Sequence, residues 1–244
     1  MSNRGIAQRV RVPEVMDDPN LDHRRHAGAL AGLARLNAVS GSARILWSPI
    51  ARLARELRVD TLRVLDVATG GGDVPRAVWR RAARAGLRLE IRGLDASPQA
   101  LDFARDEAKA CGAPIEFAQQ DALAGELPAG FDVVMSSLFL HHLGQGDAVR
   151  LLTKMRRAAG HLVLVNDLRR CRSGLLLAHA AARLLTRSDV VHVDAPRSVR
   201  AAFTIEEMRR LSAEAGLHSA IVRPRWPCRF LLMAPWRSTD GSLG

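Results

Sequence analysis

Short apolar runs and longer amphipathic stretches take turns along most of this chain. Runs near 62–67, 89–95, 115–121, 131–137 and 161–167 are compact and rich in Val, Ile and Leu, and they read as strands. Between them, 74–85, 97–111 and 146–159 repeat apolar residues every three to four positions, the period of a helix with one buried face. Such alternation predicts an α/β fold with a parallel sheet and helices on both faces. After the fifth run an apolar helix is expected over Leu175–Leu185, then a loop over 188–201. Thr204-Ile205-Glu206-Glu207 has the form of a capping box and opens a helix ending near Ala215-Gly216. Two last strands are expected near 218–223 and 229–234, joined by a turn at Pro224-Arg225-Trp226-Pro227.

The residues before the first strand follow a different pattern. Residues 1–20 are polar and proline-punctuated, which predicts a loose arm. Over 21–58 two helical patterns follow, one carrying Leu30, Leu33 and Leu36, the other Ile45, Leu46, Ile50, Leu53 and Leu57. Ser40-Gly41-Ser42 separates them, and Pro49 predicts a turn or kink near Ser48. The expected organisation is an arm and helical cover over 1–58, then a domain over 59–244 with a helical insertion near 168–203.

Composition narrows the classes. A chain of 244 residues, 48% of them apolar, can bury a large core. No apolar run approaches the ~18 residues of a membrane-spanning helix. Met1–Gly5 lack the apolar core of a signal peptide. Cys111, Cys171 and Cys228 are scattered and fit no zinc spacing, so no metal is expected. Together these predict a cytoplasmic protein with reduced thiols. The net charge of +11 is uneven: +4 over residues 1–60, −2 over 61–145 and +9 over 146–244. A basic third suits RNA, an anionic membrane or an anionic substrate. Equally, only Lys109 and Lys154 are lysines, so the arginine and alanine excess also fits a GC-rich coding bias.

The chemistry concentrates at Leu62-Arg-Val-Leu-Asp66-Val-Ala68-Thr-Gly70-Gly71-Gly72-Asp73. A strand runs into a carboxylate, a glycine turn follows, and a helix opens near Asp73–Pro75. That geometry brings backbone and helix N-terminus close to a nucleotide-like ligand. The dinucleotide pattern G-x-G-x-x-G is incomplete, because Pro75 stands in the third place. No G-x-x-x-x-G-K-[ST] occurs. A carboxylate before the glycines repels a pyrophosphate and suits an ammonium. In these residues the chain resembles the class I methyltransferases dependent on S-adenosylmethionine (SAM). Their acidic-x-G-x-G-x-G pattern here reads Asp66-x-Ala68-x-Gly70-x-Gly72, with Ala68 in place of the first glycine. The resemblance implies a seven-stranded, doubly wound, Rossmann-like sheet with an antiparallel last strand, and SAM as cofactor. It also implies that Asp95, followed by Ala96, bonds ribose hydroxyls. Asp121 and the N–H of Ala122 would bond adenine, and Ser136 would lie at the cofactor's edge.

Methyl transfer to a hydroxyl needs a group to remove a proton. Just past the fourth strand stand His141 and His142, the candidate catalytic residues. Adjacent residues cannot both point the same way, so one reaches the site while the other packs or caps; the family also carries His-His-Leu here as mere pocket support. His161 reads as structural. Asp167 is placed to orient the substrate or the loop. Arg169, Arg170 and Arg172 either hold an anion or form a solvated face. His23, Arg24, Arg25, His26 and Asn37, with His192 and Asp194, are candidates to line the substrate side. An Asn/Asp-Pro-Pro-aromatic loop, a cytosine-type cysteine nucleophile and a zinc cluster for thiol methylation are all missing. The preferred expectation is O-methylation of a phenolic, quinone-like or polyketide small molecule, apolar or aromatic. RNA methylation and non-catalytic SAM binding stay open beside it.

Overall fold

The computed structural model describes residues 6–18 and 20–235; Met1–Gly5 and Trp236–Gly244 lie outside the described residues, as does the expectation drawn on that N-terminus. Seven strands form one sheet: β1 (Thr61–Val67), β2 (Arg88–Asp95), β3 (Ile115–Gln119), β4 (Phe131–Ser137), β5 (Ala159–Leu168), β6 (Ile221–Arg225) and β7 (Arg229–Pro235). Their order is β3-β2-β1-β4-β5-β7-β6. β7 pairs antiparallel with both β5 and β6, and every other pairing is parallel. Only β7 therefore runs against the sheet.

Central strands in a parallel sheet are covered on both faces and read as continuous apolar runs. Val64, Leu65 and Val67 of β1 are buried completely. One core packs Leu65, Val134, Val163 and Phe230 against α5 (Gln145–Ala158) and α8 (Ile205–Glu214). The other packs Val64, Val133 and Leu164 against α2 (Ser42–Leu57) and α3 (Asp73–Arg84). α4 (Pro98–Ala110) completes the crossovers. The capping box forms as expected: Thr204 Oγ1 accepts from Glu207 N–H and Glu207 accepts from Thr204 N–H.

Four expectations change. The loop expected over 188–201 is a helix, α7 (Asp189–Ala201), despite Pro196 inside it. Ser188 caps it by accepting from Val191 N–H, and Val190, Val191, Asp194, Ser198 and Val199 form one buried face. Pro49 does not end α2, which continues from Ser42 to Leu57. β6 begins at Ile221 and includes Pro224, which an edge strand tolerates, so the turn is confined to 226–228.

The arm is not loose. Arg9 donates to the carbonyls of His141 and Leu143, at 2.9 and 2.7 Å, and Arg11 to that of His142 at 2.6 Å. The N–H groups of Val15 and Met16 donate to Asp194. Composition hid this because arginines and aspartates hold the arm, not an apolar stripe. α1 (His23–Val39), α6 (Arg172–Leu185) and α7 then pack together as a cover, with Ala29, Ala182, Val190 and Val191 at its centre.

Arg170 pins the arm to the domain. Its guanidinium is buried, binds Glu207 through two nitrogens at 2.8 and 2.9 Å, and donates to the carbonyls of Ala202 and Ile6. Removing one partner of such a pair leaves a charge uncompensated. Glu207 keeps some solvent contact, so the cost falls at the low end, about 2–3 kcal/mol. Arg170→Ala is expected to lower Tm by about 5–10 °C in a calorimetric scan. An unchanged Tm would show that the pair contributes nothing net.

Candidate active site

The chain order reverses between β1 and β4, and the crevice at such a switch point is where open α/β sheets bind ligands. A cavity of about 1070 Å³ opens there, under the cover. Ligand sites usually occupy ~300–1,000 Å³, so the space exceeds what one small ligand needs.

Its floor is the loop from β1 into α3. Ala68, Gly70 and Gly72 all adopt positive φ, at 56, 54 and 68°. Ala68 bears the strain that a glycine would avoid, about 1–2 kcal/mol. At Gly70 a Cβ would meet open space, so a ligand can approach the backbone there. Gly72 is different: it caps α3 outside the cavity lining, and a Cβ there would come within 3.1 Å of Phe117 and Ala104. Its absent side chain serves helix packing.

Three carboxylates surround this loop. Asp66 is 2% exposed; Oδ2 accepts from Thr69 Oγ1 at 2.6 Å, while Oδ1 is buried with no hydrogen-bond partner among the described residues. Burial pushes its pKa up to about 7, against the Thr69 hydrogen bond and with the help of Asp73 and Asp95. Asp95, at the end of β2, accepts from Gly70 N–H at 2.7 Å and from Ser97 N–H at 2.9 Å. Burial raises its pKa too. Asp73 is held by Asn37 Nδ2 at 3.0 Å. Opposite in sign is Arg229 on β7, fully buried, donating to Asn37 Oδ1 and Ser40 Oγ while Nη1 has no hydrogen-bond partner among the described residues. Burial lowers its pKa to about 10, against the pull of Asp167 and Asp73. Asp66, Asp73, Asp95 and Arg229 all line the cavity.

Of the remaining expected residues, Ala68, Ala96, Asp121 and Ala122 line the cavity. Asp121 Oδ1 accepts from Leu123 N–H at 2.8 Å. Ser136 does not reach the lining: it is fully buried and donates to the Val67 carbonyl at 2.9 Å, fastening β4 to β1. Its neighbour Ser137 lines the cavity instead, because successive strand residues face opposite ways.

Both histidines line the cavity, and their partners separate them. His141 Nδ1 lies 2.7 Å from Asp167 Oδ1, and its N–H donates to Oδ2. Burial opposes the charge on Asp167, but His141 and the Leu168 N–H hold its carboxyl below the usual range. An ionised Asp167 only accepts, so Nδ1 carries a proton, and in the neutral ring the lone pair sits on Nε2. His142 Nδ1 lies 3.3 Å from Asp17 Oδ2. Burial works against its charge, yet Asp17, Glu14 and Asp167 outweigh it and push its pKa up to about 9. His142 is a cation at neutral pH, which removes it as a base. Glu14, from the arm, stands 3.7 Å from His141 Nε2 and 3.9 Å from His142 Nε2.

Glu14 and Asp17 have no periodicity around them and escaped the sequence; Asp17 is 125 residues from its histidine. Of the other candidates, His26 and Asn37 line the cavity. Asp194 holds the arm, His192 Nε2 meets the Thr186 carbonyl, and Arg170 binds Glu207, and none of these three is in the cavity lining.

Residues 64–160 match the family model described as a methyltransferase domain. This segment carries a methyltransferase domain. Demethylmenaquinone methyltransferase of Deinococcus radiodurans is 38% identical over 119 residues, 47% of either chain. Ubiquinone biosynthesis O-methyltransferase of Rhizobium rhizogenes is 32% identical over 134 residues, 52% of this chain and 50% of that one. The chain spans about half the length of the curated relatives it matches. Among solved structures, human N-acetylserotonin methyltransferase superposes with a TM-score of 0.61 at 16% identity, over 89% of this chain and 57% of that one. That likeness concerns the fold. No helix among the described residues is long and apolar enough to cross a membrane.

Proposed function

We propose that the protein transfers a methyl group from SAM to the hydroxyl of a phenolic or quinone-like small molecule, leaving S-adenosylhomocysteine. One observation carries the reading. A buried carboxylate oxygen of Asp66 and a buried guanidinium nitrogen of Arg229 lack hydrogen-bond partners among the described residues, and both residues line one cavity. Buried charges persist only when a partner compensates them. The amino-acid end of SAM offers an ammonium to Asp66 and a carboxylate to Arg229. Asp95, fixed by two backbone donors, keeps lone pairs for ribose hydroxyls, and Asp121 with Ala122 stands where adenine would lie.

SAM, when bound, supplies an electrophilic methyl carbon on a sulfonium. The chain's own residues handle the acceptor. His141 Nε2 takes the proton of the hydroxyl while Asp167 steadies the charge on the ring. A phenol loses its proton near pKa ~10, so a neutral imidazole at the right place contributes roughly 10²–10⁴-fold. Leu30, Leu33, Leu177, Ala181, Leu185 and Val199 form an apolar wall that suits an aromatic or alkyl-bearing acceptor and excludes water. The quinone-related names of the relatives favour the same substrate class.

The RNA alternative is the weaker one because little in the chain can stack on bases: aromatic residues are 4% of it, with no tyrosine. The test is S-adenosylhomocysteine formation with SAM and a panel of phenols, hydroquinones and RNA. Turnover on a phenol or hydroquinone is expected. Turnover on RNA alone would overturn the acceptor class, and none on any acceptor, with cofactor binding intact, would favour a non-catalytic SAM-binding protein.

A further inference from the structure

At the polar end of the cavity two imidazoles are turned alike about one carboxylate, an arrangement that proton transfer to His141 alone does not require. Asp167 meets Nδ1 of His141 at 2.7 Å, and Asp17 meets Nδ1 of His142 at 3.3 Å. Each histidine thereby presents Nε2 to the same group, Glu14, at 3.7 and 3.9 Å. One ligand atom from each of Glu14, His141 and His142 lies within 4.8 Å of the other two. Histidines that bind metals characteristically give their other ring N–H to a carboxylate, which fixes tautomer and ring orientation. Here both do so, and the two carboxylates come from unrelated parts of the chain, β5 and the arm.

We propose that Glu14, His141 and His142 bind one divalent transition-metal ion, of the zinc class, with an open position toward the cavity. The inference rests on reading this cluster as the acceptor end of the site. Two imidazole nitrogens and one carboxylate suit zinc, cobalt, nickel or iron, and do not suit magnesium or calcium, which prefer oxygen alone. Ligands at about 2.0–2.2 Å in a tetrahedron stand roughly 3.3–3.5 Å apart. The separations to Glu14 are only a few tenths of an ångström larger, and the two histidine ligand atoms lie within 4.8 Å of each other, so side-chain rotation is what closes the set. Three protein ligands with a fourth position open is the form of a catalytic zinc site. Charge agrees: Glu14, Asp17 and Asp167 surround two rings that are neutral when they ligate.

The consequence for the acceptor is specific. With the ion in place His141 Nε2 is a ligand and no longer a base. A hydroxyl oxygen at the open position becomes more acidic, its proton leaves to water, and the oxygen stays oriented for methylation. His141 alone serves the metal-free protein.

The experiment uses the full chain, freed of metal by a chelator and titrated with Zn²⁺ by calorimetry and with Co²⁺ by visible absorption. Wild type is expected to take up one equivalent at micromolar affinity or tighter. Glu14→Gln and His142→Ala are each expected to weaken uptake by at least ~100-fold, and Asp17→Asn by about 10-fold. Glu126→Gln, on the surface elsewhere, should match wild type. S-adenosylhomocysteine binding to the same samples checks both folding and the cofactor reading. Metal uptake without cofactor binding supports the metal site and sinks the methyltransferase reading. Cofactor binding and phenol methylation without stoichiometric uptake overturn the metal site and leave the function standing. Uptake equal in wild type and both ligand variants also overturns it.

Discussion

Asp66→Asn is expected to weaken cofactor binding at least ~30-fold and, in the same stroke, to stabilise the ligand-free protein. The carboxylate is buried at the end of β1, and one of its oxygens has no hydrogen-bond partner among the described residues. Its pKa rises from an ordinary 3.8 to about 7 on folding, chiefly because burial disfavours the charge, with Asp73 and Asp95 adding to it. Between those values the folded state holds more protons than the unfolded one. Stability contributed by this group therefore falls as pH rises from about 4 to 7, and the penalty is complete above the folded pKa. An amide carries no such penalty and can still accept from Thr69. The gain is a few kcal/mol at most, so Tm at pH 8 should rise by about 5–10 °C, with little gain near pH 4. Losing a buried partner for the ligand's ammonium costs about 2–5 kcal/mol, at least ~30-fold in affinity for S-adenosylhomocysteine. In wild type the ligand must find Asp66 ionised, so affinity should climb from pH 6 to 8 and then level. Calorimetry across that range, with thermal scans of both proteins, reads all three effects. Equal affinity of the variant would remove Asp66 from the site.

Asp66 was legible in the sequence because everything that makes it functional is local: an apolar strand before it and glycines after it. The sheet was legible for the same reason. Period-2 and period-3.6 patterns are short-range, and Val64–Val67 or Thr204–Glu207 declare themselves within a few residues. Where a second, distant partner decides, the pattern failed. A loop is expected over 188–201 and a turn or kink near Pro49, yet packing against the cover and the sheet holds α7 and α2 helical through Pro196 and Pro49. Ser136 and Ser137 were indistinguishable until the pleat turned one to Val67 and the other to the cavity. The histidines could not be ranked, because Asp167 and the arm's Asp17 and Glu14 separate them. A polar arm has no apolar period to announce that it folds back, so Glu14 and Asp17, two of the five residues of the polar cluster, lie among residues that composition assigned to a loose end.

Asp167→Asn is expected to cost about 10²–10⁴-fold in kcat while leaving cofactor affinity within ~2-fold. Asp167 is a positioning residue and acts through His141. Both of its oxygens accept: Oδ1 from His141 Nδ1 and Leu168 N–H, Oδ2 from the His141 N–H. An amide presents an oxygen at only one of those places. If the oxygen stays toward the backbone of His141, the NH₂ group meets Nδ1 and favours the tautomer protonated on Nε2. That removes the lone pair, whether Nε2 takes the acceptor's proton or ligates the proposed ion. If the oxygen turns to Nδ1, the NH₂ group faces a backbone N–H, and the negative charge that steadied the ring is gone in either case. A merely structural role predicts a uniform fall across acceptors. Loss of deprotonation predicts a graded one: ordinary phenols, which ionise near pKa ~10, suffer most, and strongly acidic phenols, already ionised, suffer least. Residual activity should also climb with pH toward the phenol's own pKa. Steady-state rates on a series of phenols of graded acidity, at pH 7 and 9, decide it. A fall independent of acceptor acidity would return Asp167 to the scaffold.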